Sequence, residues 1–232
     1  EALIIEDCSH CFGSEYAKNK FIGDCAYSDA CTFSFHATKT IAGGEGGAIT
    51  TKCPHLMDEI KILKSHGIRQ LAAAKQSRMF DVAEPATNAR LPEIVACLIN
   101  AQVNDLQWIK KERQNRRSLL DRIVEKIDYL STVSQNRLDN HNDHLYQIQI
   151  TDSKVSKTDL IDHLRRHNVG TQTHYQPLST LTAFKPDKGF EHKCFENSHS
   201  FVEKTISIPF HNNLNTSNLV QIERAFAEFK TA

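Results

Sequence analysis

The sequence predicts an α/β chain in two parts: a partial sheet domain over residues 1–127, ending in a long helix, and a small α+β domain over 128–232. Three observations predict it. The short continuous apolar run Leu3-Ile4-Ile5 reads as a strand covered on both faces, the mark of a parallel sheet, and Cys31-Thr32-Phe33-Ser34-Phe35 as a second strand. Glycines and helical periods follow these runs, as strand–turn–helix units require. From about residue 128 the pattern changes to short alternating units, a small mixed domain.

The first strand runs from Glu1 to Glu6, abruptly at the chain start. A strand buried on both faces rarely opens a domain, so the domain is expected to begin upstream, with this chain a truncated piece. Cys31–Phe35 is the second strand, and Gly47–Thr51 the third, entered from Gly43-Gly44-Glu45-Gly46. Pro54 suits a first helical turn, Leu56, Ile60 and Leu63 follow at helical spacing, and Gly67 ends that helix. Residues 69–90 carry no period and read as a loop. Pro92 opens a long helix to about Ile127, whose run Lys110–Arg117 reads as a solvated face. Leu145–Ile150 alternates as a half-buried strand. Ser156–His167 is an amphipathic helix capped by Ser156, and Val169–His174 a strand after it. Phe201–Ile208 brings a helix end into a strand, and Thr216–Phe229 is the last helix.

With 28 basic and 28 acidic residues among 232, no bulk field favours nucleic acid or an anionic membrane. No apolar run approaches the ~18 residues of a membrane span. Seven cysteines lack a repeated spacing and read as buried free thiols, which suits the reducing cytoplasm. Cys8, His10 and Cys11 form one metal-type knuckle without a second at zinc-ribbon spacing; a zinc module is a minor alternative, and no metal is expected.

The chemistry concentrates where Ser34-Phe35-His36-Ala37-Thr38-Lys39 meets the glycines and where Leu3-Ile4-Ile5-Glu6-Asp7 ends. Alone, Lys39 is a surface lysine and Asp7 a strand-end cap. Together they are what a pyridoxal phosphate (PLP) enzyme needs: an amine for the cofactor's aldehyde and an acid for its pyridine nitrogen. Ser34, five residues before Lys39, offers a hydroxyl to a phosphate.

Glu6-Asp7-Cys8-Ser9-His10, Ser34–Lys39 and Gly44-Glu45-Gly46-Gly47 resemble the DegT/DnrJ/EryC1/StrS family of nucleotide-sugar aminotransferases. Asn88-Ala89-Arg90-Leu91, His174-Tyr175-Gln176-Pro177 and Ser207-Ile208-Pro209 resemble later segments of the same family, so the likeness spans the chain. It implies the C-terminal part of a PLP fold-type I (aspartate aminotransferase-like) large domain plus the small C-terminal domain. It implies transamination of a nucleotide-linked keto-sugar, with glutamate as amino donor, in surface polysaccharide or amino-sugar synthesis. By this resemblance Lys39 is the Schiff-base lysine and proton carrier, and Asp7 pairs with the pyridine nitrogen. His10 lies beside the ring oxygen, and Ser34 contacts the phosphate. Asn88 reaches the phosphate of the other subunit of a homodimer, and His174 and Tyr175 approach the sugar pocket.

Leu91 stands where the family usually has Met, and Ala86 where Gly often precedes the Asn. The sibling sugar dehydratases replace the lysine by histidine, so Lys39 points away from them. The family's N-terminal half, with its phosphate-binding helix terminus and ring-stacking aromatic, is expected to be missing from residues 1–232. The competing expectation is therefore a non-catalytic remnant or interaction module of this family.

Overall fold

The computed structural model describes residues 2–70, 80–133, 141–184 and 195–230. They form two compact units: one reaches Trp108 and takes in His141 and Asn142; the other holds the chain from Ile109 and from Asp143.

In the first unit, β1 (Ile5–Asp7) is followed by a hairpin of β2 (Glu15–Ala17) and β3 (Lys20–Phe21), then by β4 (Ala30–Ser34) and β5 (Gly47–Thr51). The sheet order is β1-β4-β5. β1 pairs with β4 in parallel, Asp7 opposite Thr32, and β5 returns antiparallel with Gly47 opposite Ser34. As an outer strand, β1 leaves Leu3, Ile4 and Ile5 more than half exposed within this chain, so the doubly covered reading does not hold here. Pro54 opens α1 (Pro54–Leu63), and the chain turns through Gly67 at φ +70°. Part of the supposed loop 69–90 is strand: β6 (Ile68–Gln70) pairs antiparallel with β7 (Phe80–Val82). Apolar residues spaced along one short strand gave no separate period to read.

The long helix is two: α2 (Glu93–Asn104) and α3 (Leu106–Val124), parted at Asp105. Asn104 and Asp105 are short polar residues that compete for nearby backbone groups and weaken a helix interior. The solvated-face reading of Lys110–Arg117 needs correction. Arg113 and Arg117 are each only 6% exposed. Arg113 Nε donates to the Asp143 carbonyl (2.6 Å), Nη2 to the His144 carbonyl (2.9 Å), and its guanidinium lies 4.4 Å from the centre of the Phe210 ring. Arg117 Nη1 meets Asp143 Oδ1 at 3.3 Å, with the Tyr146 ring at 4.7 Å. Burial lowers the Arg113 pKa to about 10, so it is still charged at neutral pH.

The second unit is a three-stranded antiparallel sheet, β10-β9-β8, made by β8 (Leu130–Thr132), β9 (Tyr146–Ile150) and β10 (Thr205–Ile208). The strands are framed by α4 (Lys157–Arg166), α5 (Glu196–Lys204) and α6 (Thr216–Ala227). Ser156 caps α4 by accepting the Asp159 N–H, and Asn215 and Asn218 form a reciprocal box at the start of α6. Tyr146, Ile148, Leu160, Leu164, Ile206 and Phe226 fill the core. Burying each such apolar side chain contributes roughly 1.5–3 kcal/mol. The supposed strand Val169–His174 is only a bridge, Gln172 exchanging both backbone bonds with Ser207. No helix among the described residues is long and apolar enough to cross a membrane.

Candidate functional site

The site is built at the end of the parallel pair. Residues opposite one another across a sheet, and those two apart along a strand, share a face. Asp7, Thr32 and Ser34 therefore stand on one face, and Glu6 on the other. After Ser34 the chain makes a loop whose rims are tied by backbone bonds: Ala37 N–H to Gly44 O (2.8 Å), Gly43 N–H to Phe35 O (2.7 Å) and Phe35 N–H to Gly46 O (2.8 Å). Gly44 adopts φ +87°, a conformation that L side chains resist, and turns the chain back. Lys39, half-buried, sits at the loop's bend with its N–H on His36 O (2.9 Å).

Asp7 Oδ1 accepts both the hydroxyl and the backbone N–H of Ser9. These bonds, the hydroxyl's first, hold the Asp7 carboxyl below its ordinary range; His10 and Lys39 add a favourable field. Burial pushes the Lys39 amine down, opposed by the Asp7 charge. Asp7 thus lies within electrostatic reach of both His10 and Lys39. Ser34 Oγ accepts the His36 N–H at 3.3 Å and keeps its own proton to donate.

Glu6 is fixed on the opposite face. Ser28 Oγ donates to its Oε2 at 2.6 Å, Cys31 Sγ to the same oxygen at 3.2 Å, and the Tyr16 hydroxyl to Oε1. These donors, Ser28 first, hold its carboxyl down as well. The loop carrying His10 is pinned by Asn142: its Nδ2 donates to Phe12 O, and its N–H to Ser14 Oγ at 2.9 Å. Both Ser14 and Asn142 are buried.

Asn88 is exposed, bridged to Ser65, with Oδ1 accepting the Arg90 N–H; no bond among the described residues joins it to Asp7 or Lys39. His174 and Tyr175 belong to the second unit. His174 Nδ1 meets Ser207 Oγ at 2.7 Å, its carbonyl accepts from Gln147 Nε2, and the Tyr175 side chain is 60% exposed. Among the described residues no group of three or more His, Cys, Asp or Glu could hold a metal ion, which leaves the Cys8-His10-Cys11 alternative without support.

The donor set fits PLP: an ionised carboxylate, a half-buried amine with a lowered pKa and a free hydroxyl proton, gathered at one sheet end. Residues 1–227 match the profile of the DegT/DnrJ/EryC1/StrS aminotransferase family. This chain belongs to that family. It is 32% identical, over 91% of its length, to the UDP-4-amino-4,6-dideoxy-N-acetyl-beta-L-altrosamine transaminase of Campylobacter jejuni, and covers 54% of that protein. It matches the structure of Helicobacter pylori PseC, an aminotransferase involved in the biosynthesis of pseudoaminic acid, with a TM-score of 0.86. The identity there is 27%, covering 97% of this chain and 59% of PseC. The PLP form of a Streptococcus pneumoniae protein described as a sugar aminotransferase also matches, with a TM-score of 0.83 at 26% identity, over 97% of this chain and 56% of that one. The chain thus spans little more than half the length of these relatives. Its fold is the PLP-dependent sugar-aminotransferase α/β fold over that part.

The sequence reading missed Gln102, Asn142 and the Glu6 cluster. Gln102 had a signal: it falls on the helical stripe of Val95 and Ile99, where a polar side chain needs a partner.

Proposed function

We propose that this chain carries the lysine-and-acid part of a PLP-dependent aminotransferase acting on a nucleotide-linked keto-sugar, with an amino acid such as glutamate as donor. The observation that carries the proposal is the juxtaposition of Asp7 and Lys39 at the end of the β1–β4 pair, each perturbing the other's ionisation. When bound, PLP supplies an electron sink for the carbon that loses its proton. Lys39 Nζ would hold the cofactor at its aldehyde carbon and would serve as the base that moves a proton at the substrate. Its lowered pKa leaves more neutral amine at neutral pH than an exposed lysine has. Asp7 stays ionised and favours a protonated ring nitrogen. His10, half-buried, would lie beside the ring oxygen, and the Ser34 hydroxyl would donate to the phosphate.

The relatives' names support a nucleotide-sugar substrate and a role in polysaccharide or amino-sugar synthesis. His174 and Tyr175 are the sugar-side residues in this reading. A homodimer would give Asn88's exposed amide its partner site, and the exposed Ile94 and Leu98 on α2 offer apolar surface for it. The free thiols suit a cytoplasmic location.

The test is borohydride reduction of the intact gene product after incubation with PLP, followed by peptide mapping. A cofactor adduct on Lys39 that is absent in Lys39→Ala, with amine transfer from glutamate to a UDP-linked keto-sugar, is expected. An unmodified Lys39 peptide would overturn the proposal and favour the non-catalytic module.

A further inference from the structure

The lysine loop is tied to a neighbouring helix by one side chain. Ile41, two residues beyond Lys39, is fully buried. Gly43 lies so close to α2 that a Cβ there would stand 2.7 Å from Val95 Cγ1 and 2.9 Å from Ile99 Cδ1. Between them, Ala42 offers both backbone polar groups to Gln102. Gln102 Oε1 accepts the Ala42 N–H at 3.1 Å, and Nε2 donates to Ala42 O at 2.7 Å. The other Nε2 proton goes to Leu98 O at 2.9 Å, within the helix. The carboxamide therefore reads one residue as an adjacent strand would, from 60 positions away. Only a carboxamide carries donor and acceptor side by side without charge.

We propose that Gln102 is a positioning residue for Lys39: it clamps Ala42 to α2 and so sets how deeply the Lys39 amine sits beside Asp7. The loop's remaining backbone bonds join its own rims, so they shape it without fixing its height. Among the described residues, Gln102 supplies the polar tie from residues 36–44 to another element. The charged group that acts on the amine is Asp7, with His10 acting on Asp7 in turn; the loop's own His36 and Glu45 face each other at 3.9 Å. None of them lies on α2, so Gln102 acts through geometry and not through charge. The inference rests on Lys39 being the cofactor lysine.

The experiment is competitive acetylation of cofactor-free intact protein with limiting acetic anhydride across pH, read per lysine by mass spectrometry. Exposed Lys18 is the internal reference. In the wild type, Lys39 should titrate below the ordinary lysine range. Gln102→Met, similar in length but unable to bond, should move the Lys39 midpoint up toward the ordinary lysine range and leave other lysines unchanged. A rise of one unit would cut the neutral amine about tenfold. Gln102→Asn, which keeps the group on a shorter arm, should shift Lys39 likewise and guards against a Met variant that fails to fold. A wild-type midpoint in either folded variant overturns the positioning role. A wild-type Lys39 that takes no PLP adduct overturns the underlying reading instead.

Discussion

Replacing Arg113 by methionine removes the guanidinium from a place where it is the donor for two main-chain oxygens. Asp143 O and His144 O lose bonds of 2.6 and 2.9 Å. Each lost bond from a charged donor costs about 1.5–3 kcal/mol. Loss of the contact with the Phe210 ring adds roughly 0.5–1 kcal/mol. Methionine refills part of the volume, so the net destabilisation should be about 3–5 kcal/mol, the range for breaking a buried charged partner. Against a typical total of about 5–15 kcal/mol this is a large share. The assay is urea unfolding followed by near-ultraviolet circular dichroism, which reports Tyr146 and its neighbours. Arg113→Lys, able to reach one carbonyl with a compact ammonium, should fall between. A Met variant within 1 kcal/mol of wild type, with the same denaturant slope, would refute the reasoning and return this stretch of α3 to a surface role (~1 kcal/mol being the scale of one exposed pair).

Other outcomes follow from the same geometry. Gly43→Ala places a methyl 2.7 Å from Val95 Cγ1 and should cost about 1–3 kcal/mol by overpacking, whereas Gly170→Ala meets nothing within 4 Å and should be near neutral; equal melting shifts would contradict this. Ser14→Ala leaves the buried Asn142 N–H without its acceptor, so a loss of about 1–3 kcal/mol and faster amide exchange at Phe12–Ser14 are expected; unchanged exchange would argue against the clamp. Burial pushes the Cys8 thiol, ordinarily 9.0, and the Tyr129 phenol, ordinarily 10.0, each up to about 12. The folded state therefore keeps protons that the unfolded chain releases, and stability should fall as pH rises from 9 through 12. The urea midpoint measured across that span checks it: Cys8→Ala should decline less, and a flat wild-type curve would count against both shifts.

Legibility in the sequence followed the range of the interactions. Gly47–Thr51 ends where its glycines and Pro54 say it must, and α4 begins at its serine cap, because turn and cap chemistry is local. Asp7 and Lys39 stood out in the sequence because each follows a short apolar run, and the parallel pairing sets Asp7 opposite Thr32, on the strand that leads to Lys39. Arg113 and Arg117 were misread because their burial is decided by Asp143 and His144, some thirty residues on, while their own neighbourhood is charged and helical. The break at Asp105 was hidden inside a helical period that continues on both sides. Gln102 and Asn142 hold loops that lie 60 and about 130 positions away, and a lone polar residue gives no direction to its partner.

Neighbouring acids on β1 face opposite ways, Asp7 toward the lysine side and Glu6 toward Tyr16, Ser28 and Cys31. Sliding the strand by one residue would turn each to the opposite face. In one direction Asp7, one methylene shorter, would meet donors placed for a longer arm; in the other Glu6 would take the place beside the amine. Glu6 thus works as a ratchet pawl against translation of the strand. Deleting one residue among Leu3, Ile4 and Ile5 should therefore be absorbed ahead of Glu6, with both acids kept in register. Swapping those same residues for other apolar ones would leave both acids in place.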